Sequence, residues 1–189
     1  LLDQKRCDAG TCARDRRLLA LHAKSTVRFG RDLQGIVAVS AFAEIEVGAS
    51  ADGTITAWRS KSWGSGGLGG SGSPPVPYVF QVPNRRHQHV SVPTNTASSR
   101  AWRAPNHPQG CYLTLSALED LAAELRMNPL DLVQKNLGIL GNLSKVYAEE
   151  LEIADRLMGW RERWRPRGEG GKGPVKRGLL GGACGYLCL

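Results

Sequence analysis

Apolar and polar residues alternate most regularly over residues 41–58. The run AFAEIEVGA is followed by the turn residues ADG and by TITAW, which resumes the alternation. Period-two alternation on both sides of a turn is typical of paired, half-buried strands. The pattern therefore predicts a β-hairpin. The alternating positions are read as apolar Phe42, Ile45 and Val47 against polar Glu44 and Glu46.

The leucines after residue 110 recur at steps of three and four residues, which predicts an amphipathic helix from about Gly110 to Met127. Asn128 is the expected N-cap of a second, short helix, and Pro129 its first residue, because both residue types are favoured there. Glycines at 138 and 141 are expected to end it.

A third helix is expected from about Ser144 to Met158, with Gly159 as its stop signal. Strands thus precede helices along the chain. The order predicts an α+β fold, with mixed strands and hairpins followed by a helical segment.

Residues 63–77, WGSGGLGGSGSPPVP, are expected to form no regular element. They contain G-x-G-x-x-G, which formally matches a dinucleotide-binding motif. That motif requires a helix to open at its third glycine, and here further glycines and Pro74-Pro75 follow instead. We interpret the stretch as a mobile or substrate-facing loop.

Residues 78–92 are expected to form one or two strands, YVFQV and HQHVSV, broken at Pro83-Asn84. His87 and His89 share a face of the second strand, and two imidazoles on one face can hold a metal ion. No third ligand stands nearby in the sequence, so an exposed polar strand face is the preferred interpretation.

The net charge of +8 is concentrated at the ends of the chain: residues 1–32 carry +4, residues 160–177 carry +5, and the body between them carries −1. Nucleic-acid binders usually carry basic residues on the folded body, so the distribution disfavours nucleic acid. Tryptophans 160 and 164 among arginines nevertheless keep a basic nucleic-acid-binding module open as an alternative function.

Five cysteines, an odd number with no C-x2-C pair, argue against both a disulfide framework and a thiolate metal site. No apolar run approaches the roughly 20 residues of a membrane span. We expect a cytoplasmic location, or a periplasmic one reached through a partner subunit.

The loop RAWRAPNHPQG at residues 100–110 carries two arginines directly before the first helix. Arginine offers a fork of N–H donors that suits phosphate, and Pro105 and Pro108 stiffen the loop. Gln109 stands at the helix start, where backbone N–H groups and the helix dipole also favour an anion. The loop is therefore predicted to hold an anionic cofactor.

This loop, followed by SALEDLAAELRMNPLDLVQKN, resembles the molybdopterin-binding large subunit of the xanthine dehydrogenase and aldehyde oxidase family, bacterial type. The family loop reads roughly R-x-[FMW]-R-[GA]-[FP]-G-x-P-Q. The turn ADGTITA, the glycine-rich stretch and Pro83-Asn84 resemble the family as well. The resemblance covers residues 41–178 and is poor outside them.

The resemblance implies that Arg103 contacts the pterin, with Gln109 also at the cofactor. Trp102 and Ala104 would shape the pocket, and Pro105 would face the substrate. It implies hydroxylation of an aldehyde or N-heterocycle carbon with oxygen from water. The cofactor would be molybdopterin, as the cytosine dinucleotide, and a 2Fe–2S subunit and an FAD subunit of a hetero-oligomeric dehydrogenase would be the partners.

The family's glutamate base is expected beyond residue 189 and its Gly-Gly-Phe-Gly cofactor loop before residue 1. Glu169 does not match the base motif, so no catalytic residue is assigned and a fragment inactive alone is expected. A non-catalytic remnant is the other alternative. The predicted domains are residues 1–40, divergent; 41–159, a partial molybdopterin-binding domain; and 160–189, a basic linker with the truncated start of a second one.

Overall fold

The computed structural model describes residues 19–27, 40–99, 105–166 and 169, with side chains from residue 41 onward. The strands are β1 Leu19–Val27, β2 Ser40–Ala49, β3 Ile55–Ser65 and β4 Asn84–Ser91. The helices are α1 His107–Glu124, α2 Pro129–Lys135, α3 Ser144–Met158 and α4 Trp160–Arg163, with a 3-10 helix at Leu137–Leu143. Strands precede helices, which confirms the predicted α+β fold.

The four strands form one mixed sheet in the order β1-β2-β3-β4, in which β1, β2 and β3 pair antiparallel and β4 pairs parallel to β3. The β2–β3 hairpin confirms the predicted one. β3, however, continues through residues 63–65, because these pair with residues 40–42 of β2. The expectation of no regular element was wrong for those three residues. The crossover from β3 to β4 holds residues 66–77, hereafter the glycine-rich segment.

The hydrophobic core lies between the inner face of β2 and helix α1. The inner residues of β2 are the odd-numbered ones, and the contributing positions of α1 follow the helical period. Phe42 lies on the opposite face beside the glutamates and is 41% exposed. Grouping Phe42 with Ile45 and Val47 was therefore wrong, because its even position places it on the outer face. The core residues from these two elements are Ala41, Ala43, Ile45, Val47, Ala49, Leu113, Ala117, Leu118, Leu121 and Ala122.

Residues 78–82, YVFQV, do not form the predicted strand. Their backbone bonds to helical elements instead: the Tyr78 amide donates to Thr114 Oγ1 at 2.7 Å and the Gln81 amide to the Ile139 carbonyl at 2.6 Å. Val79 has a φ of 58°, which a strand does not accommodate. The apolar residues of this run are buried in the core without an adjacent strand to pair with.

The helices follow the predicted order with shifted ends. α1 begins three residues earlier than predicted, at His107. The Asn128 side chain caps α2 by accepting from the Leu130 amide at 2.9 Å. α2 ends at Lys135, so the glycines at 138 and 141 lie in the 3-10 helix and do not terminate α2. α3 is confirmed, and Gly159 ends it in the left-handed conformation, φ 59°.

Strand β1 was not predicted. Its sequence LALHAKSTV places Leu19, Leu21 and Ala23 two residues apart with polar residues at 22 and 24, which is the strand period. The signal is short and weakened by the serine and threonine that follow. In the structure, β1 pairs antiparallel with residues 41–49 of β2.

Candidate cofactor-binding site

The predicted cofactor loop lies between two well-defined supports. Arg103, Trp102 and Ala104 fall in residues 100–104, outside the described residues. Pro105 is exposed, and Gln109 is buried in the first turn of α1 at 8% exposure. The structure therefore defines where the loop departs and where it rejoins the helix.

The departing end is fixed to the glycine-rich segment by backbone hydrogen bonds. The Ser99 amide donates to the Gly66 carbonyl at 2.7 Å, and the Thr94 amide to the Gly67 carbonyl at 3.1 Å. A Cβ atom on Gly67 would stand 2.1 Å from the Ala97 carbonyl oxygen, and Gly67 has a φ of +80°. Only glycine allows two backbones to approach so closely here.

The rejoining end is fixed at the start of α1. Asn106 adopts the left-handed conformation at φ 66°, and its carbonyl accepts from the Gly110 amide at 3.0 Å. A Cβ atom on Gly110 would stand 2.5 Å from the Pro75 carbonyl oxygen, and one on Gly72 would stand 2.8 Å from Asn106 Nδ2. The glycine-rich segment thus packs directly against the helix start.

His107 contacts the segment that follows the glycine-rich one. Its Nδ1 lies 3.3 Å from the Tyr78 hydroxyl, and the two rings meet edge to face with centroids 5.6 Å apart. Tyr78 is buried. His107, one of the polar residues of the predicted loop, therefore packs against buried structure at the helix start.

The part of the sequence that forms these supports contains no carboxylate. From Gly53 to Leu118 the sequence has no aspartate or glutamate, and the first turn of α1 has none. Donors without carboxylates, next to a helix N-terminus, are the set that favours an anion. The basic residues of this stretch are Arg59, Lys61, Arg85, Arg86, Arg100 and Arg103.

Residues 33–137 match the family described as Molybdopterin cofactor-binding domain. The match covers more than half of the chain. The chain belongs to this family. The matched range includes both supports of the loop and residues 100–104 between them. Comparison with curated protein sequences finds no match.

Solved structures with a similar fold include quinoline 2-oxidoreductase from Pseudomonas putida 86. It is 16% identical with a TM-score of 0.57, over 67% of this chain and 19% of that one. Reconstituted CO dehydrogenase from Oligotropha carboxidovorans is 22% identical with a TM-score of 0.51, over 65% and 18%. Aldehyde oxidoreductase from Desulfovibrio gigas is 23% identical with a TM-score of 0.44, over 52% and 12%. This molybdopterin cofactor-binding domain spans about a fifth or less of each.

The donor set fits the cofactor that names the family. Molybdopterin carries a phosphate, and the sequence from Gly53 to Leu118, which contains the loop, has basic side chains and no carboxylate, as does the first turn of α1. Among residues 40–99 and 105–166, no group of three or more His, Cys, Asp or Glu side chains is arranged to hold a metal ion. No helix of the described residues is long and apolar enough to cross a membrane.

The histidine pair of β4 contacts serines. His87 Nδ1 lies 2.8 Å from Ser60 Oγ and His89 Nδ1 lies 2.8 Å from Ser62 Oγ. Both rings are partly buried on the inner face of the sheet, so the expectation of an exposed strand face was wrong for these two side chains. The glycine-rich segment covers both histidine rings, a contact that the sequence did not indicate.

An apolar groove of about 380 Å³ lies elsewhere, between α1, α2 and α3. Its lining is apolar, and the residues of α1 that line it lie further along the helix than Gln109. The groove is therefore separate from the candidate cofactor site. Trp160 forms one wall, is 5% exposed, and donates from Nε1 to Asn128 Oδ1 at 2.9 Å. This tryptophan is held inside the domain, which argues against the stacking role in the nucleic-acid-binding alternative.

Proposed function

We propose that this molybdopterin cofactor-binding domain is part of the large subunit of a molybdenum-dependent hydroxylase related to xanthine dehydrogenase and aldehyde oxidase. The observation that carries the proposal is family membership over residues 33–137 together with an arginine-bearing loop inside that range. The resemblance of RAWRAPNHPQG to the family loop supports the same assignment. The substrate class is an aldehyde or an N-heterocycle.

Arg103 binds the anionic part of the cofactor in this proposal, because a guanidinium group donates two parallel hydrogen bonds to a phosphate or to polar ring edges. Gln109 lies in the first turn of α1, and its amide side chain carries a donor and an acceptor. Trp102 and Ala104 shape the pocket, and Pro105 faces the substrate. When bound, the molybdenum cofactor supplies the redox chemistry of hydroxylation.

In this proposal, the contacts at the two ends of the loop keep its donors in place. Ser99 and Asn106 hold the two ends of the loop against the glycine-rich segment. Donors that are already in place bind an anion with a smaller entropic cost than donors on a free loop. The protein would therefore gain cofactor affinity from the rigidity of its own backbone.

The cofactor form and the partners follow from the resemblance. We propose molybdopterin cytosine dinucleotide as the form, with electrons passing to a 2Fe–2S subunit and an FAD subunit. No residue among residues 1–189 is proposed as the catalytic base.

The test replaces Arg103 by Ala in the complete subunit assembled with its partners. Loss of a charge-assisted hydrogen bond, worth about 1.5–3 kcal/mol, weakens cofactor binding about 10- to 150-fold. Molybdenum per subunit, measured by mass spectrometry, and pterin, measured by fluorescence after oxidation, should fall together with activity. Arg126→Ala is the matched control, because Arg126 is an exposed arginine at the other end of α1.

Arg103→Lys separates charge from geometry. Lysine keeps the positive charge but loses the planar fork, so an intermediate molybdenum content is expected. Full molybdenum and pterin content in Arg103→Ala, equal to that of Arg126→Ala, would refute the assignment of Arg103.

A further inference from the structure

His87 bridges the sheet and the glycine-rich segment through both of its ring nitrogens. Nδ1 lies 2.8 Å from Ser60 Oγ on β3, and Nε2 lies 2.9 Å from Ser73 Oγ in the segment. Each serine has one further partner: Trp58 Nε1 lies 3.0 Å from Ser60 Oγ, and Ser73 Oγ lies 3.3 Å from the Pro74 carbonyl oxygen. The ring is the middle of a continuous hydrogen-bonded chain.

His89, two residues further along β4, makes the same kind of contacts. Nδ1 lies 2.8 Å from Ser62 Oγ on β3, and Nε2 lies 3.3 Å from Ser71 Oγ in the segment. The Ser71 amide donates to Ser91 Oγ at 2.8 Å. The two imidazoles therefore tie one serine of the segment each to β3: His87 ties Ser73, and His89 ties Ser71.

The direction of each hydrogen bond around His87 can be assigned. Trp58 Nε1 is only a donor, so Ser60 Oγ accepts from it. Among the described contacts of Ser60 Oγ, His87 Nδ1 is the acceptor available for the Ser60 proton. Nδ1 is then an acceptor, and the ring proton stands on Nε2, which donates to Ser73 Oγ. Ser73 passes its proton to the Pro74 carbonyl. The neutral ring with its proton on Nε2 satisfies every member of this chain.

Adding a proton to Nδ1 breaks that order. It would direct a second donor at Ser60 Oγ and leave the Ser60 proton without an acceptor where Ser60 is 2% exposed. Losing the partner of a buried polar group is costly. Burial of the ring, and next the charge of His89, lower the pKa of His87 below its ordinary value of 6.5.

No described carboxylate offsets a positive charge at this pair. β3 presents Ser60 and Ser62 to the rings, and the glycine-rich segment has no titratable side chain. Arg85, exposed, shares the histidine face of β4 by its alternation. The remaining charged residues of the neighbouring strands lie on the opposite face of the sheet: Glu44, Glu46, Arg59, Lys61 and Arg86.

We propose that His87 and His89 form a latch that fixes the glycine-rich segment to β3 and β4, and that the latch is pH-sensitive because it holds while His87 is neutral and releases the segment when His87 is protonated. The segment also packs against the start of α1 through Gly72 and Pro75. The latch is a property of the chain itself and goes beyond the cofactor function, since it needs no bound cofactor.

The sign and size of the effect follow from linkage. The latched state favours neutral His87, so its stability is present above pH 6.5 and is lost as the pH falls below that value. With a released-state pKa of about 6.5, acidification from pH 7.5 to 5.5 raises the opening constant about tenfold through His87 alone.

The first measurement needs no variant. Long-range nitrogen–proton NMR of the full 189-residue chain at pH 7.5 should show His87 neutral with its proton on Nε2. Hydrogen exchange read by mass spectrometry, corrected for the intrinsic rate, should show protection of residues 66–77 falling about tenfold between pH 7.5 and 5.5. Residues 43–49 of β2 should keep their protection.

The second measurement uses the double variant His87→Asn, His89→Asn. Asparagine reaches Ser60 and Ser62 but is too short to reach the segment, so residues 66–77 should exchange fast at both pH values. Gln88→Ala is the matched control, because Gln88 lies between the two histidines on the opposite, exposed face, and it should keep the wild-type pH dependence. A segment whose protection is unchanged between the two pH values, or a ring proton found on Nδ1 of His87, would overturn the latch.

Discussion

Asn136 fastens the turn of the β2–β3 hairpin to helix α2, and its replacement by Ala should be among the most damaging single changes in the domain. Asn136 is 4% exposed. Its Oδ1 accepts from the Ile55 amide at 2.9 Å, and its Nδ2 donates to the Gly53 and Leu132 carbonyls at 2.9 and 2.8 Å. One side chain thus satisfies three backbone groups from two elements.

The expected magnitude follows from which groups lose a partner. In Asn136→Ala, the Leu132 carbonyl keeps the Asn136 amide as a donor at 3.3 Å, but the Ile55 amide and the Gly53 carbonyl lose theirs. Each buried group without a partner costs about 1–3 kcal/mol. We expect a loss of about 3 kcal/mol in the free energy of unfolding, and a fall in Tm of about 6–12 °C at about 2–4 °C per kcal/mol.

Urea unfolding followed by tryptophan fluorescence measures this loss on the full chain. Asn136→Asp is the sharper variant, because a carboxylate keeps the acceptor for Ile55 but faces the Gly53 and Leu132 carbonyls without a proton to donate. It should therefore be no better than Ala at neutral pH. Asn142→Ala, at an exposed asparagine of the 3-10 helix, should stay within about 0.5 kcal/mol of wild type. A loss below about 1 kcal/mol in Asn136→Ala would show that the fastening role is wrong.

Two further predictions concern the ends of α2. The Thr54 amide and then Lys135 lower the pKa of Asp52 from 3.8 to about 2, so its contribution to stability is present above pH 3.8 and is lost as the pH falls through 2. The stability difference between wild type and Asp52→Asn should therefore shrink as the pH falls from 3.8 to 2, and a difference at pH 2 as large as that at pH 7 would contradict this prediction. Trp160→Phe removes the hydrogen bond to Asn128 while keeping most of the buried area and should cost about 1 kcal/mol in urea unfolding, whereas an equal loss in Trp164→Phe would deny Trp160 its special role.

The parts of the fold that were predicted are those whose signals are local. The hairpin follows from period-two alternation around one turn, and α3 from a helical period closed by Gly159. The strand prediction for residues 78–82 was wrong because apolar residues indicate burial and do not by themselves indicate strand pairing. The backbone amides of Tyr78 and Gln81 donate to Thr114 and Ile139, which are 36 and 58 residues away. No local sequence pattern encodes such contacts.

The candidate site also has parts that the sequence predicts and parts that it does not. The residue types of the loop, above all Arg103, indicate an anion from the sequence alone. The supports of the loop do not, because they depend on how closely backbones approach at Gly67 and Gly110. The serines that meet His87 and His89 are likewise remote, with Ser60 and Ser62 each 27 residues away. A serine at any one of these positions has no distinguishing local signal.

The inner face of the sheet has an apolar half and a polar half, and each half packs against a different segment. β2 presents apolar residues, which α1 covers with leucines, whereas β3 and β4 present serine and histidine, which require hydrogen-bonding partners at short range. A segment of glycine and serine supplies those partners because it can lie close to the sheet without side chains in between. The same segment holds Ser99 at one end of the cofactor loop and Asn106 at the other. We therefore expect a displacement of the segment to disturb the contacts at both described ends of the loop, Ser99 and Asn106.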